Sequence, residues 1–106
     1  MHPITRQELQ ARLADQDLIL LEALPETSYR QGHLPGARVF PIEQARDLAR
    51  TLSPRRDAPI VVYCASETCN NSDTVAKLLA DVGYTDVRVY KGGKADWQSA
   101  GLPVEQ

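Results

Sequence analysis

The sequence predicts an α/β fold in which a parallel sheet is covered by helices on both faces. Leu18-Ile19-Leu20-Leu21 and Ile60-Val61-Val62-Tyr63 are continuous apolar runs. They are too short for good helices and lack the alternation of a half-exposed strand, which is the pattern of strands buried on both sides. Segments of helical period separate these and the weaker strand-like runs along the whole chain, the order that builds parallel sheets. The 106 residues are enough for one core and too few for two, so a single domain over residues 1–106 is expected.

The elements follow in order. Thr5-Arg6-Gln7-Glu8 has the capping-box spacing, and Leu9 and Leu13 follow at i, i+4, predicting a helix over about residues 6–14. After the first apolar strand, Pro25 and Glu26 open a short helix that ends by Gly32. His33-Leu34-Pro35-Gly36 reads as a turn, and Ala37-Arg38-Val39-Phe40 as a brief strand stopped by Pro41. Ile42, Ala45, Leu48, Ala49 and Leu52 have helical spacing up to Ser53-Pro54. The strand Ile60–Tyr63 leads into a polar loop, and then Val75, Leu78, Leu79 and Val82 mark one helix face, closed by Gly83. Asp86–Tyr90 is the last strand, Gly92-Gly93 a turn, and Ala95–Ala100 a final helix ended by Gly101.

Composition excludes several function classes. The chain is 42% hydrophobic and 25% charged with a net charge of −2. That balance is ordinary for a globular protein and gives no basic surplus for nucleic acid. No apolar run approaches the roughly 18 residues needed to cross a bilayer, and the N-terminus lacks a signal pattern. A cytoplasmic setting is expected, where thiols stay reduced.

The chemistry is expected at Cys64, which sits where a strand ends and a helix is about to begin. Unpaired N–H groups and the positive dipole end at a helix N-terminus favour a thiolate, the nucleophilic form of cysteine. The other cysteine of the chain, Cys69, lies in the same loop. Loops beyond the carboxyl ends of parallel strands are where such sheets place their sites.

Four motifs in order, Gly32-His33-Leu34-Pro35-Gly36-Ala37, Val61-Val62-Tyr63-Cys64, Tyr90-Lys91-Gly92-Gly93 with Trp97, and Gly101-Leu102-Pro103-Val104, make the chain resemble a single-domain rhodanese over nearly its whole length. The resemblance implies a three-layer α/β/α domain with a mostly parallel five-stranded sheet. It also implies sulfur transfer through a persulfide on Cys64, from a small sulfane-sulfur donor to a thiol, cyanide or a protein acceptor, with no cofactor or metal. The terminal sulfur anion would be cradled by backbone N–H groups of Ala65, Ser66, Glu67, Thr68, Cys69, Asn70 and Asn71.

Departures from the family pattern narrow the reading. Many members carry arginine five positions after the cysteine; here that position is Cys69, and the loop holds Glu67 but no Lys or Arg. A contact charge pair near a surface is worth up to ~4 kcal/mol before desolvation, so dianionic thiosulfate is expected to be a poor donor. Where members carry Asp-Val-Arg, this chain has Glu22-Ala23-Leu24, which keeps an acid and removes its basic partner. Lys91 and Lys94 are read as solvated surface lysines, or else as a positive field beside the loop. A phosphatase is rejected because Asn70 stands six positions after Cys64 where a guanidinium would be needed.

Cys69 is a candidate resolving thiol that attacks the Cys64 persulfide or sulfenate. The competing function is a redox-sensing or protein-binding module without turnover, using a Cys64–Cys69 disulfide. His33 is read as structural. A zinc site from His2, His33, Cys64 and Cys69 matches no usual spacing.

Overall fold

The computed structural model describes residues 2–106. Within them, five strands form one sheet: β1 (His2–Pro3), β2 (Ile19–Glu22), β3 (Arg38–Val39), β4 (Ile60–Tyr63) and β5 (Val87–Tyr90). Their order is β1-β5-β4-β2-β3, and every neighbouring pair is parallel, so the sheet is wholly rather than mostly parallel. The helices are α1 (Arg6–Arg12), α2 (Glu26–Gln31), α3 (Ala45–Arg50), α4 (Asn71–Val82) and α5 (Gly93–Ser99).

Alternation along the central strands divides the apolar residues between two cores. Ile19, Leu21, Ile60, Val62, Val87 and Val89 pack with Ala45 and Ala49 of α3 and with Val75, Ala76 and Leu79 of α4. On the opposite face Leu20, Val61, Tyr63 and Tyr90 pack with Leu9 of α1, Trp97 of α5 and the partly buried Tyr29 of α2. These are the three layers expected from the sequence.

Local signals set the ends of most elements. Thr5 Oγ1 accepts the Glu8 N–H at 3.1 Å and Glu8 Oε1 accepts the Thr5 N–H at 3.0 Å, completing the capping box of α1. Gly83 ends α4 at φ +116°, a left-handed conformation that disfavours a side chain. Several boundaries differ from expectation, among them that of α5, which takes in Gly93 and Lys94 ahead of the expected start at Ala95. α1 stops at Arg12, and the helix over 42–52 divides into a 3-10 turn at Ile42–Gln44 followed by α3. α4 begins at Asn71, with Asn70 as its N-cap, one turn before Val75, the first residue of its marked face.

The register places the site. Glu22 pairs with Tyr63, which pairs with Tyr90, making the last rung at the carboxyl edge. One residue beyond that rung the chain reaches Ala23, Cys64 and Lys91. The Ala23 N–H donates to the Tyr63 carbonyl at 2.9 Å, and the Asn71 side-chain amide donates to the Ala23 carbonyl at 3.1 Å, tying the start of α4 to the end of β2.

Candidate active site at the carboxyl edge of the sheet

Cys64 leaves β4 one step after Tyr63, and its residue is only 1% exposed. Its thiol faces the first turn of α4. The single proton on that sulfur has two acceptors to choose from, the Cys69 carbonyl at 3.3 Å and the Ser72 hydroxyl at 3.4 Å. The Ser72 N–H favours the ionised form of this sulfur. Ser72 is completely buried, so its hydroxyl serves this thiol and not solvent.

The loop between them turns on itself. The Cys69 N–H donates to the Ser66 carbonyl at 3.0 Å, and the Ser66 and Thr68 hydroxyls lie 3.0 Å apart. The turn sets the Cys69 carbonyl 3.3 Å from the Cys64 sulfur, and the N–H groups of Asn71 and Ala65 favour the ionised form of Cys69. Of the N–H groups expected to cradle a terminal sulfur, that of Cys69 is committed to the Ser66 carbonyl, and the hydroxyl of Ser72, in the first turn of α4, lies 3.4 Å from the Cys64 sulfur.

The ionisation order reverses the expectation that Cys64 carries the lowered thiol. Burial pushes the Cys64 thiol up, as does hydrogen bonding to Cys69, and the Ser72 hydroxyl and N–H offset this only in part. Burial also acts against the Cys69 thiolate. It is outweighed there by the Cys64 thiol, the N–H groups of Asn71 and Ala65, and the Lys91 ammonium, which hold Cys69 below the ordinary thiol value. The physical reason is access. Cys64 is buried and acts as donor, whereas Cys69 is half-buried and receives N–H donors. Of the two thiols, the environment raises Cys64 and lowers Cys69.

Positive charge reaches the site from β5 and α5. Lys91 donates to the Cys69 carbonyl at 3.2 Å and pairs with Asp73 of α4 at 2.5 Å, and the Asp73 carboxylate holds its ammonium above the ordinary lysine value. Lys94 is no surface lysine. Its side chain is 13% exposed, it donates to the Ser28 carbonyl at 2.7 Å, and its ammonium lies 3.1 Å from Oε2 of fully buried Glu22. That approach neutralises Oε2 but lies off the direction of a hydrogen bond, leaving Oε2 without a donor. Oε1 of Glu22 accepts the Tyr63 hydroxyl at 2.7 Å, and the same hydroxyl accepts the Leu34 N–H at 3.1 Å. Burial and the Glu22 carboxylate push the Tyr63 phenol far up, so it stays a donor. The basic partner that Leu24 removes is thus supplied from α5.

The start of α5 also fixes the loop. The Lys94 N–H donates to the Cys64 carbonyl at 3.0 Å and the Ala95 N–H to the Ala65 carbonyl at 2.9 Å. Gly93, at φ +64°, lies so close that a Cβ there would sit 2.3 Å from the Cys64 carbonyl oxygen. This explains Gly93 beside the cysteine loop.

The remaining candidates fall elsewhere. His33 stacks on Tyr29 with centroids 3.8 Å apart, and its Nδ1 lies 2.9 Å from the Tyr29 carbonyl, a structural placement. Trp97 is buried and donates to the Pro103 carbonyl at 2.8 Å. Glu67 is exposed and, with Ser66, Thr68 and Asp96, lines an outer groove of about 500 Å³ rather than turning toward the sulfurs. Among the described residues no three His, Cys, Asp or Glu side chains gather as metal ligands. No helix among them is long and apolar enough to cross a membrane.

Sequence reasoning missed Ser72, Asp73 and the inward course of Lys94. Serine in a first helical turn is too common to stand out. Asp73 and Lys94 acquire their roles from partners distant in sequence.

Comparison with known proteins agrees with this geometry. The family described as "Rhodanese-like domain" matches residues 5–100. The HTH-type transcriptional regulator Rv0324 of Mycobacterium tuberculosis is 34% identical over 97% of this chain, which spans only 44% of that protein's length. The thiosulfate sulfurtransferase GlpE of Pseudoalteromonas translucida is 26% identical, over 83% of this chain and 80% of its own. The crystal structure of a thiosulfate sulfurtransferase from Pseudomonas aeruginosa superposes with a TM-score of 0.87 at 30% identity, covering 100% of this chain and 20% of that one.

Proposed function

This chain belongs to the rhodanese-like domain family, and from that premise we propose that it is a sulfurtransferase carrying sulfane sulfur as a persulfide on Cys64. The observation that supports this reading most is the environment of Cys64: a buried thiol one step beyond the sheet's last rung, under the first turn of α4, with an N–H and a hydroxyl from Ser72 on its sulfur. Persulfide anions need such donors, because no lysine or arginine of the loop itself is present to stabilise them.

In the proposed reaction the Cys64 thiolate attacks the sulfane sulfur of a donor, whose remaining fragment leaves as an anion. The outer sulfur of the resulting Cys64–S–S⁻ then passes to a thiol or cyanide, and Cys64 returns to the thiolate. The proton that Cys64 loses first passes to water. Lys91 gives the site a cation, partly neutralised by Asp73, which favours singly charged persulfides over dianionic thiosulfate as donors. A reducing compartment such as the cytoplasm suits both thiols.

The test is thiocyanate formation from cyanide with thiosulfate, polysulfide and glutathione persulfide as donors. Turnover with at least one donor, lost in Cys64→Ser, is expected. Equal turnover by Cys64→Ser, or none from any donor, refutes the assignment.

A further inference from the structure

Cys69 lies beside Cys64 in the loop that leaves β4. The loop turns on the bond from the Cys69 N–H to the Ser66 carbonyl, and the Cys69 carbonyl lies 3.3 Å from the Cys64 sulfur. The N–H groups of Asn71 and Ala65 favour the Cys69 thiolate. Lys91 is anchored on the Cys69 carbonyl and held by Asp73, so its charge lies beside the pair. Both cysteines are free, one buried and one half-buried. These are the features of an attacking thiol: a lowered thiol value, a place beside its target and access to the medium.

We propose that Cys69 resolves the Cys64 persulfide, expelling hydrosulfide and closing a Cys64–Cys69 disulfide. The step rests on the persulfide reading above and balances without an external oxidant. The Cys69 thiolate attacks the Cys64 Sγ, forming the Sγ–Sγ bond while the bond from Sγ to the outer sulfur breaks. The outer sulfur, carrying the proton that Cys69 gave up on ionising, takes that bond's electron pair and leaves as HS⁻. The sulfane sulfur is reduced and the two cysteines are oxidised. A low-molecular-weight thiol or a protein dithiol then reduces the disulfide and resets the pair.

The outer sulfur is also the better leaving group of the two, since hydrosulfide is less basic than an alkyl thiolate. An acceptor that arrives in time collects the outer sulfur; without one, the chain discharges it as sulfide and stops. The loop's exchange of a fixed charge for a second thiol then limits how long a persulfide persists.

The experiment loads the fully reduced protein anaerobically with glutathione persulfide, removes the donor, and follows intact mass and free sulfide without acceptor. Wild type is expected to pass from the one-sulfur adduct to a disulfide with loss of two hydrogens, releasing one sulfide per chain. Cys69→Ser and, as a second variant, Cys69→Ala are expected to hold the adduct at least ~10-fold longer and release no sulfide. A wild-type adduct as durable as that of both variants overturns the inference, as does peptide mapping that finds the sulfur moved onto Cys69 without a disulfide. If both Cys69 variants never take up sulfur, the persulfide reading itself fails, a result separable from a durable wild-type adduct.

Discussion

Replacing Lys94 with methionine isolates the buried charge cluster that supports the cysteine loop. Lys94→Met keeps most of the side-chain volume and leaves the backbone N–H bond to the Cys64 carbonyl in place. What it removes is the ammonium 3.1 Å from Oε2 of Glu22, a carboxylate in a fully buried residue whose other oxygen is held by the Tyr63 hydroxyl at 2.7 Å. Removing one partner of a buried pair costs about 3–5 kcal/mol, because the remaining charge has neither water nor counter-ion. The lower end, about 3 kcal/mol, applies here, since Lys94 is itself 13% exposed and makes no hydrogen bond to Oε2. For a chain of this size that loss lowers the melting temperature by roughly 10–20 °C. Thermal unfolding followed by circular dichroism at neutral pH measures it. The double variant Glu22→Gln with Lys94→Met, which leaves a neutral amide for Tyr63, should recover about 1–2 kcal/mol of the loss. A single variant that melts within about 3 °C of wild type refutes the reasoning, as does a double variant worse than the single.

Three further predictions follow from the site. Alkylation by iodoacetamide should label Cys69 first, because its lowered value brings the thiolate up at a pH below the ordinary thiol range, while the raised value of Cys64 delays its labelling to higher pH; peptide mapping across a pH series that finds Cys64 labelled first contradicts the order. Lys91→Met should move the Cys69 labelling profile to higher pH and leave the fold intact, since both Lys91 and its partner Asp73 are substantially exposed; an unmoved profile removes Lys91 from the site. Gly93→Ala should destabilise by about 3 kcal/mol or more, from the left-handed backbone and the displaced Cys64 carbonyl together; a urea-unfolding midpoint equal to wild type would show that the loop yields without cost.

The elements legible in the sequence are those whose cause is local. Ile60–Tyr63 is apolar on both faces because both faces are buried, and Gly83 and the Thr5–Glu8 box mark helix ends through their nearest neighbours. β1 was not legible, because two exposed residues, His2 and Pro3, carry no pattern, and only the edge of β5 makes them a strand. The same distinction divides the site. Cys64 stands out from its place between strand and helix. The Glu22–Lys94 pair joins residues far apart in the chain, and the reversed thiol order comes from the burial of Cys64 beside a half-buried Cys69. Lys94 read as a surface residue because its buried partner lies on another strand. Leu24 read as the loss of a cation that in fact arrives from α5.

The most direct test of the account is to locate the sulfur atom. In the Cys69→Ser chain, which lacks the resolving thiol, fragmentation of the intact protein after treatment with glutathione persulfide should find one added sulfur, confined to Cys64 and absent from the Cys64→Ser, Cys69→Ser double variant. No added sulfur, or sulfur that persists in the double variant, contradicts the assignment of Cys64 as the carrier.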